Sequence, residues 1–113
     1  MKRNWIRITV AMGVVAVMSL TFAGAPTQAQ DAGGALYKTK CAACHGADGK
    51  GDTAVGKANK IRELGSAEVQ AQSDADLTTI ITSGKGKMPA YGKSLKPDQV
   101  KDLVAYIRTL AKK

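Results

Sequence analysis

Two cysteines and a histidine lie within five consecutive positions of the chain. Cys41 and Cys44 are separated by two alanines, and His45 follows directly. This C-x-x-C-H pattern is typical of the covalent attachment of a c-type haem. One helical turn separates the two thiols, so both sulfurs can reach the same edge of a porphyrin ring as thioethers. His45 is then predicted to be the proximal ligand of the iron.

A zinc site and a redox-active C-x-x-C pair are the other interpretations of these cysteines. A structural zinc ion takes four ligands, whereas the chain has two cysteines and one histidine in all. A thioredoxin-like motif requires a β-α-β setting, and the sequence contains no convincing strand. We therefore expect one covalently attached haem c as the cofactor.

Met88 is the candidate for a second axial ligand. The other methionines are Met1, Met12 and Met18, which all lie in the N-terminal segment. His45 is the only histidine, so ligation by two histidines of one chain is impossible. A lone methionine more often fills a gap in a core. Here Met88 stands in a glycine-rich loop before Pro89, and it is the best candidate if the haem needs a sixth protein ligand.

The N-terminal segment has the features of a secretory signal peptide. A basic start precedes an apolar stretch over residues 8–25, and Thr27-Gln28-Ala29 is a plausible signal-peptidase site. The stretch is short for a membrane span, and an uncleaved N-terminal anchor is the alternative. We expect a signal at 1–29, a single functional domain at 30–113, a periplasmic location and no stable membrane insertion.

The charge of the chain is strongly basic. Seventeen Lys and Arg against nine Asp and Glu give a formal net charge of +8, and the chain stays basic after loss of the three cations in the signal. Such a charge favours acidic partners. We do not expect nucleic acid as a partner, because the protein is predicted to be exported and has no recognisable nucleic-acid-binding motif.

Three helices are predicted to position these residues. Residues 33–40 form a short helix leading into the cysteines, with Gly33 and Tyr37 on one face. Ser73 is a candidate N-cap for a second helix that ends at Gly84. The third runs over residues 97–111. Its apolar residues at helical spacing are Val100, Leu103, Val104, Ile107 and Leu110.

These features together resemble the class I c-type cytochromes, of the small, soluble, monohaem bacterial kind. The matching parts are the haem motif, Gly33 with Tyr37, residues 84–90 around Met88, and Leu103 with Tyr106 in the last helix. The resemblance implies an all-α fold, a bundle of three to five helices wrapped around one covalent haem. It also implies His45 and Met88 as axial ligands, and a first helix that crosses the last with Gly33 at the contact.

Two positions depart from that family. The family often carries a proline that orients the proximal histidine, and residues 61–64 contain none, which leaves the acceptor for the His45 ring nitrogen open. No tryptophan remains in the domain to bond a haem propionate, and Tyr91 is the candidate substitute.

The expected function is a periplasmic one-electron carrier, monomeric and without enzymatic activity. The alternatives are a haem subunit of a dehydrogenase or oxidase complex, and a five-coordinate haem enzyme or sensor. Lys85, Lys87 and Lys93 flank Met88 in the chain, which predicts a docking face for an acidic redox partner. A solvated loop that is basic only for solubility is the alternative.

Overall fold

The chain folds as an assembly of helices. The computed structural model describes the backbone of residues 25–111 and the side chains of residues 28–111. The helices are α1 (Ala25–Lys40), α2 (Ala42–His45), α3 (Ala54–Ala58), α4 (Ala67–Gln70), α5 (Asp74–Ser83) and α6 (Pro97–Thr109). Within the described range there is no β-strand, which confirms the all-α prediction. Three helices are long and three are single turns, so the count exceeds the expected three to five.

The crossing of α1 and α6 is the main contact between long helices. Gly33 is buried, and a β-carbon there would overlap the main-chain carbonyl oxygen of Asp102. One turn further on, Tyr37 is completely buried against Tyr106, with ring centroids 5.0 Å apart. Glycine therefore permits the two backbones to touch, and the predicted crossing is confirmed.

Helix α1 is longer than the sequence predicted. It begins at Ala25 rather than Gly33, although Gly33-Gly34 is poor helix material. Packing against α6 offsets this weak propensity, since most helical stability in proteins comes from tertiary contacts. The predicted signal peptide falls mostly outside the described residues, and its cleavage site after Ala29 lies within α1. The boundary between 1–29 and 30–113 stays a prediction.

The ends of α5 agree with the sequence. The hydroxyl of Ser73 accepts a hydrogen bond from the Asp76 amide at 3.0 Å, and the Asp76 carboxylate accepts one from the Ser73 amide at 3.4 Å. This capping box satisfies two amides that have no partner within the helix. The helix ends at Gly84, whose φ of +75° favours glycine.

Arg108 joins the end of α6 to the junction between α4 and α5. Its guanidinium donates to the main-chain oxygens of Gln70 at 2.9 Å and Gln72 at 2.6 Å. It also donates to the carboxylate of Asp74 at 2.7 and 3.0 Å. A planar guanidinium suits this role, because its donors form a rigid fork.

Among residues 25–111, no helix is long and apolar enough to cross a membrane.

Candidate haem-binding site

A cavity of about 550 Å³ opens between the helices. Helices α4, α5 and α6 and the segment before α6 supply its apolar wall. The buried residues among these are Val69, Leu77, Ile81, Leu95, Leu103 and Ile107. Its volume lies within the usual range for ligand-binding cavities. The apolar face predicted for the third helix therefore contributes to this cavity, through Leu103 and Ile107, as well as to the core.

All four candidate haem-binding residues line this cavity: Cys41, Cys44, His45 and Met88. Cys44 and His45 lie on α2 and Cys41 directly precedes it, and the His45 amide donates to the main-chain oxygen of Cys41 at 2.9 Å. Met88 comes from the loop that follows α5. The tertiary structure therefore brings together two segments that lie more than forty residues apart in the sequence.

The two thiols are free, without a disulfide between them, and both are half-buried. Burial raises the pKa of the Cys41 thiol, and the neighbouring Cys44 raises it further. Two free thiols are the groups that thioether attachment requires, and both line the cavity one helical turn apart.

Hydrogen bonds from two other segments hold α2 in place. The buried hydroxyl of Tyr37 donates to the main-chain oxygen of Gly46 at 2.6 Å. The hydroxyl of Thr53 donates to the main-chain oxygen of Cys44 at 2.8 Å. The carbonyl of Cys44 has no partner within α2, so the Thr53 bond satisfies it. The Tyr37 bond joins α1 to the residue that directly follows the haem motif.

The segment after the haem motif contains a short helix. Residues 46–57 are rich in glycine and polar residues, which predicts a loop, but α3 begins at Ala54. Thr53 caps α3 by accepting a hydrogen bond from the Gly56 amide at 2.8 Å. Gly56 itself lies so close to the main-chain oxygen of Gly51 that a β-carbon would overlap it. This close backbone packing supports a helical turn in a segment whose composition favours a loop.

His45 presents one ring nitrogen to a ligand. Its Nδ1 atom is buried and has no hydrogen-bond partner among the described residues, which leaves Nε2 as the nitrogen available to the cavity. Burial lowers the pKa of the imidazole, and the neutral imidazole is the form that binds metals. Metal-bound histidines usually donate their second N–H to a carbonyl or carboxylate. Residues 61–64 supply no such acceptor.

Met88 closes a tight turn. Its amide donates to the Lys85 carbonyl at 3.0 Å, and its carbonyl accepts from the Lys85 amide at 3.2 Å. Gly86 within the turn has a φ of +58°, which glycine adopts without strain. Met88 is half-buried and packs against the hydrophobic core. The turn therefore fixes the backbone of the candidate ligand beside the cavity.

Tyr91 also lines the cavity, but its hydroxyl is already used. It donates to the main-chain oxygen of Lys40 at 3.2 Å. The phenol proton would have to leave this oxygen before it could bond a haem propionate, because a tyrosine has only one to donate. Burial raises the pKa of Tyr91, with smaller contributions from Cys41 and Cys44.

These groups fit a covalently held haem c. Paired thiols, a neutral imidazole with one accessible nitrogen and a thioether all line an apolar cavity. Haem iron accepts histidine and methionine as axial ligands. The completely buried Tyr37 and the apolar side chains of α5 and α6 provide the surroundings that such a macrocycle needs.

The charged side chains that line the cavity are all cationic. They are Lys40, Lys60, Arg62, Lys85 and Lys87. No Asp or Glu of the described part of the chain lines it. Arg62 pairs with Glu68 at 3.0 Å. Lys93 is exposed but does not line the cavity. Sequence analysis missed Lys40, Lys60 and Arg62, because nothing in the local sequence links them to Met88.

The comparisons with known proteins agree with this chemistry. The family model described as cytochrome c oxidase, cbb3-type, subunit III matches residues 28–107. A cytochrome c6 from Gloeothece citriformis is 37% identical over 78% of this chain and 79% of its own length. The cbb3-type cytochrome c oxidase subunit FixP of Azorhizobium caulinodans is 34% identical over 74% of this chain. This chain spans only 28% of that longer protein.

A solved structure shares the fold. The KustC0563 c-type cytochrome superimposes with a TM-score of 0.66 and is 35% identical in sequence. The match covers 71% of this chain and 98% of that one. The family model over residues 28–107 spans the haem motif, the residues that line the cavity and the loop that carries Met88.

Proposed function

Because the chain belongs to the small class I c-type cytochromes, which carry electrons on a covalently bound haem c, we propose that it is a periplasmic one-electron carrier. Cys41 and Cys44 bind the haem, and His45 and Met88 are the axial ligands. The observation that carries this proposal is the arrangement of all four residues around one apolar cavity.

The haem, when bound, supplies an iron atom that gains and loses one electron. The chain supplies the two thiols that attach it, and Nε2 of His45 and the Met88 sulfur orient it from two separate segments. The apolar wall of α4, α5 and α6 excludes water. A methionine ligand in an apolar cavity favours the ferrous state and raises the reduction potential.

A haem with both axial positions filled by the protein has no open site for a substrate. Electron transfer without substrate chemistry is therefore the function that His45 and Met88 support together. This distinguishes the proposed carrier from a five-coordinate haem enzyme or sensor, in which one axial position stays open.

The cations around the cavity support docking to an acidic surface of a redox partner. Four lysines that line the cavity form no salt bridge within the described part of the chain: Lys40, Lys60, Lys85 and Lys87. Such charges mainly accelerate encounter and leave the complex short-lived, as a monomeric shuttle requires. The basic start and apolar stretch of the N-terminal segment support export to the periplasm.

A haem subunit of an oxidase complex is the second candidate. The family model over residues 28–107 and several of the relatives are named for a cbb3-type oxidase subunit. Purification from a membrane extract separates the two candidates. A free carrier elutes alone, whereas a subunit of the complex elutes with an oxidase.

Visible spectroscopy and mass spectrometry of the protein from the periplasmic fraction test the proposal. We expect low-spin spectra in both oxidation states, a mass increased by one haem and an N-terminus at Gln30. The Cys41→Ala, Cys44→Ala double variant is the control and should lack covalent haem. A high-spin ferrous spectrum, or a protein found only in the cytoplasm, would contradict the proposal.

A further inference from the structure

One hydrogen bond joins the two segments that supply the proposed axial ligands. The hydroxyl of Tyr91 donates to the main-chain oxygen of Lys40 at 3.2 Å, across 51 positions of sequence. Tyr91 lies three residues after Met88, and Lys40 directly precedes Cys41. Within residues 25–111, no other hydrogen bond connects residues 84–92 with residues 40–46. Residues 84–92 are named the Met88 loop below.

Other anchors of the Met88 loop lie on α5 and in the segment that follows the loop, where the Leu95 amide donates to the main-chain oxygen of Tyr91 at 2.9 Å. The Tyr91 amide donates to the main-chain oxygen of Ile81 at 2.9 Å, and the Gly92 amide donates to that of Thr82 at 3.0 Å. Helix α5 packs against α6, whereas α2 packs against α1 and α3. The loop is therefore anchored on α5 and the haem motif on α1 and α3, and the Tyr91 hydroxyl makes the direct hydrogen bond between the two segments.

We propose that Tyr91 is a positioning residue that holds the Met88 loop against the haem-attachment segment and so keeps the Met88 sulfur on the iron. This inference rests on the proposed function, in which Met88 is a ligand. The Tyr91 ring is half-buried and lines the cavity. Its hydroxyl donates to the carbonyl of Lys40, which lies at the end of α1 and has no partner within that helix. This use of the phenol replaces the expectation that Tyr91 bonds a haem propionate.

The expected size of the effect follows from the bond itself. It is long for an O–H···O pair and partly exposed to solvent. A neutral hydrogen bond of this kind changes an equilibrium by about two- to tenfold. Loss of the hydroxyl should therefore increase the fraction of molecules with Met88 off the iron by that factor, while the loop keeps its anchors on α5.

Imidazole is a suitable probe, because it binds ferric haem only where the methionine has left. We expect imidazole to bind the ferric Tyr91→Phe holoprotein about two- to tenfold more tightly than the wild type. Tyr106→Phe is the matched control. It also removes one phenol oxygen, and the Tyr106 hydroxyl makes no hydrogen bond among the described residues. Its affinity for imidazole should equal that of the wild type.

An imidazole affinity of Tyr91→Phe equal to that of the control would overturn the inference. So would failure of Tyr91→Phe to incorporate haem while the control does, because Tyr91 would then support folding as a whole. The Met88→Ala variant distinguishes a failure of this inference from a failure of the proposed function. If it binds imidazole no more tightly than the wild type, Met88 is not the ligand and the proposed function fails first. If Met88→Ala binds tightly and Tyr91→Phe is unchanged, only the role of Tyr91 is wrong.

Discussion

Gly33 in α1 lies directly against the main-chain carbonyl of Asp102 in α6, and no side chain fits between them. We expect Gly33→Val to lower the free energy of unfolding by about 1–3 kcal/mol, the usual range for an overpacked contact. Chemical denaturation of the holoprotein measures this. Ala32→Val is the control, because Ala32 is exposed on the same helix. It should change stability by no more than about 0.5 kcal/mol, and equal losses in both variants would contradict the crossing.

Arg108 should contribute more to stability than its partly exposed side chain suggests. Arg108→Ala leaves the main-chain carbonyls of Gln70 and Gln72 without their charged donor, so we expect the free energy of unfolding to fall by about 1–3 kcal/mol. Arg62→Ala is the control, since it removes an exposed pair with Glu68 and should cost at most about 1 kcal/mol. Urea titrations of both variants measure the difference. A loss for Arg108 no larger than for Arg62 would show that the network is solvated.

Tyr37 should make the protein sensitive to alkaline pH. Its buried hydroxyl donates to Gly46, and burial, more than the nearby Cys41, raises its pKa well above the usual value of 10.0. Above about pH 10 the unfolded chain releases the phenol proton while the folded protein keeps it. The free energy of unfolding should therefore fall as the pH rises, by at most about 1.4 kcal/mol per pH unit from this group.

Denaturation at a series of pH values between 8 and about 11.5 tests this sign. Tyr37→Phe should be less stable than the wild type at pH 8 and should lose less stability as the pH rises. Tyr106→Phe is the control and should keep the slope of the wild type. If Tyr37→Phe and the wild type have the same slope, Tyr37 does not cause the alkaline loss.

Met88→Ala should alter the electronic state of the iron more than it alters the fold. We expect loss of the weak ferric sulfur-to-iron absorption band and a lower reduction potential, because a methionine ligand favours the ferrous state. Val104→Ala is a control for general destabilisation, since Val104 is buried but does not line the cavity. It should lower stability and keep the band. An unchanged band and potential in Met88→Ala would exclude Met88 as a ligand.

The rate of electron transfer to an acidic partner should fall as the salt concentration rises. Salt screens the attraction between the partner and the cations that line the cavity, with a Debye length of about 8 Å at physiological ionic strength. Lys87→Glu should slow transfer further at low salt, by about two- to tenfold, because one charge at contact contributes on the order of 1 kcal/mol in water. Stopped-flow measurements with an identified partner test this. Lys101→Glu changes the net charge equally from an exposed position on α6 that does not line the cavity. Equal effects of both variants would exclude a docking face around the cavity.

The lysines that line the cavity were only partly predictable from the sequence. Proximity in the chain predicted Lys85, Lys87 and Lys93, and two of these three line the cavity. Lys40 and Lys60 line the same cavity but come from other segments of the chain. A side chain's neighbours across space depend on how helices pack, and no local pattern reports that packing.

The sequence by itself determined the chemistry of the site and the type of fold. The spacing of Cys41, Cys44 and His45 is a local property, as are the Ser73 cap, the stop at Gly84 and the apolar repeat of the last helix. Counting residues was enough to single out Met88, because the domain offers one methionine and one histidine. Binding of the haem by these four residues stays a prediction.

Only the tertiary structure decided how the separate segments meet. It began α1 at Ala25 rather than at Gly33, and contact with α6 offsets the weak helix propensity of Gly33 and Gly34. In the folded protein, Nδ1 of His45 has no acceptor among the described residues, and the Tyr91 hydroxyl donates to the main-chain oxygen of Lys40. Each of these outcomes depends on groups far apart in the chain, whose hydrogen bonds and contacts form only when the helices pack together.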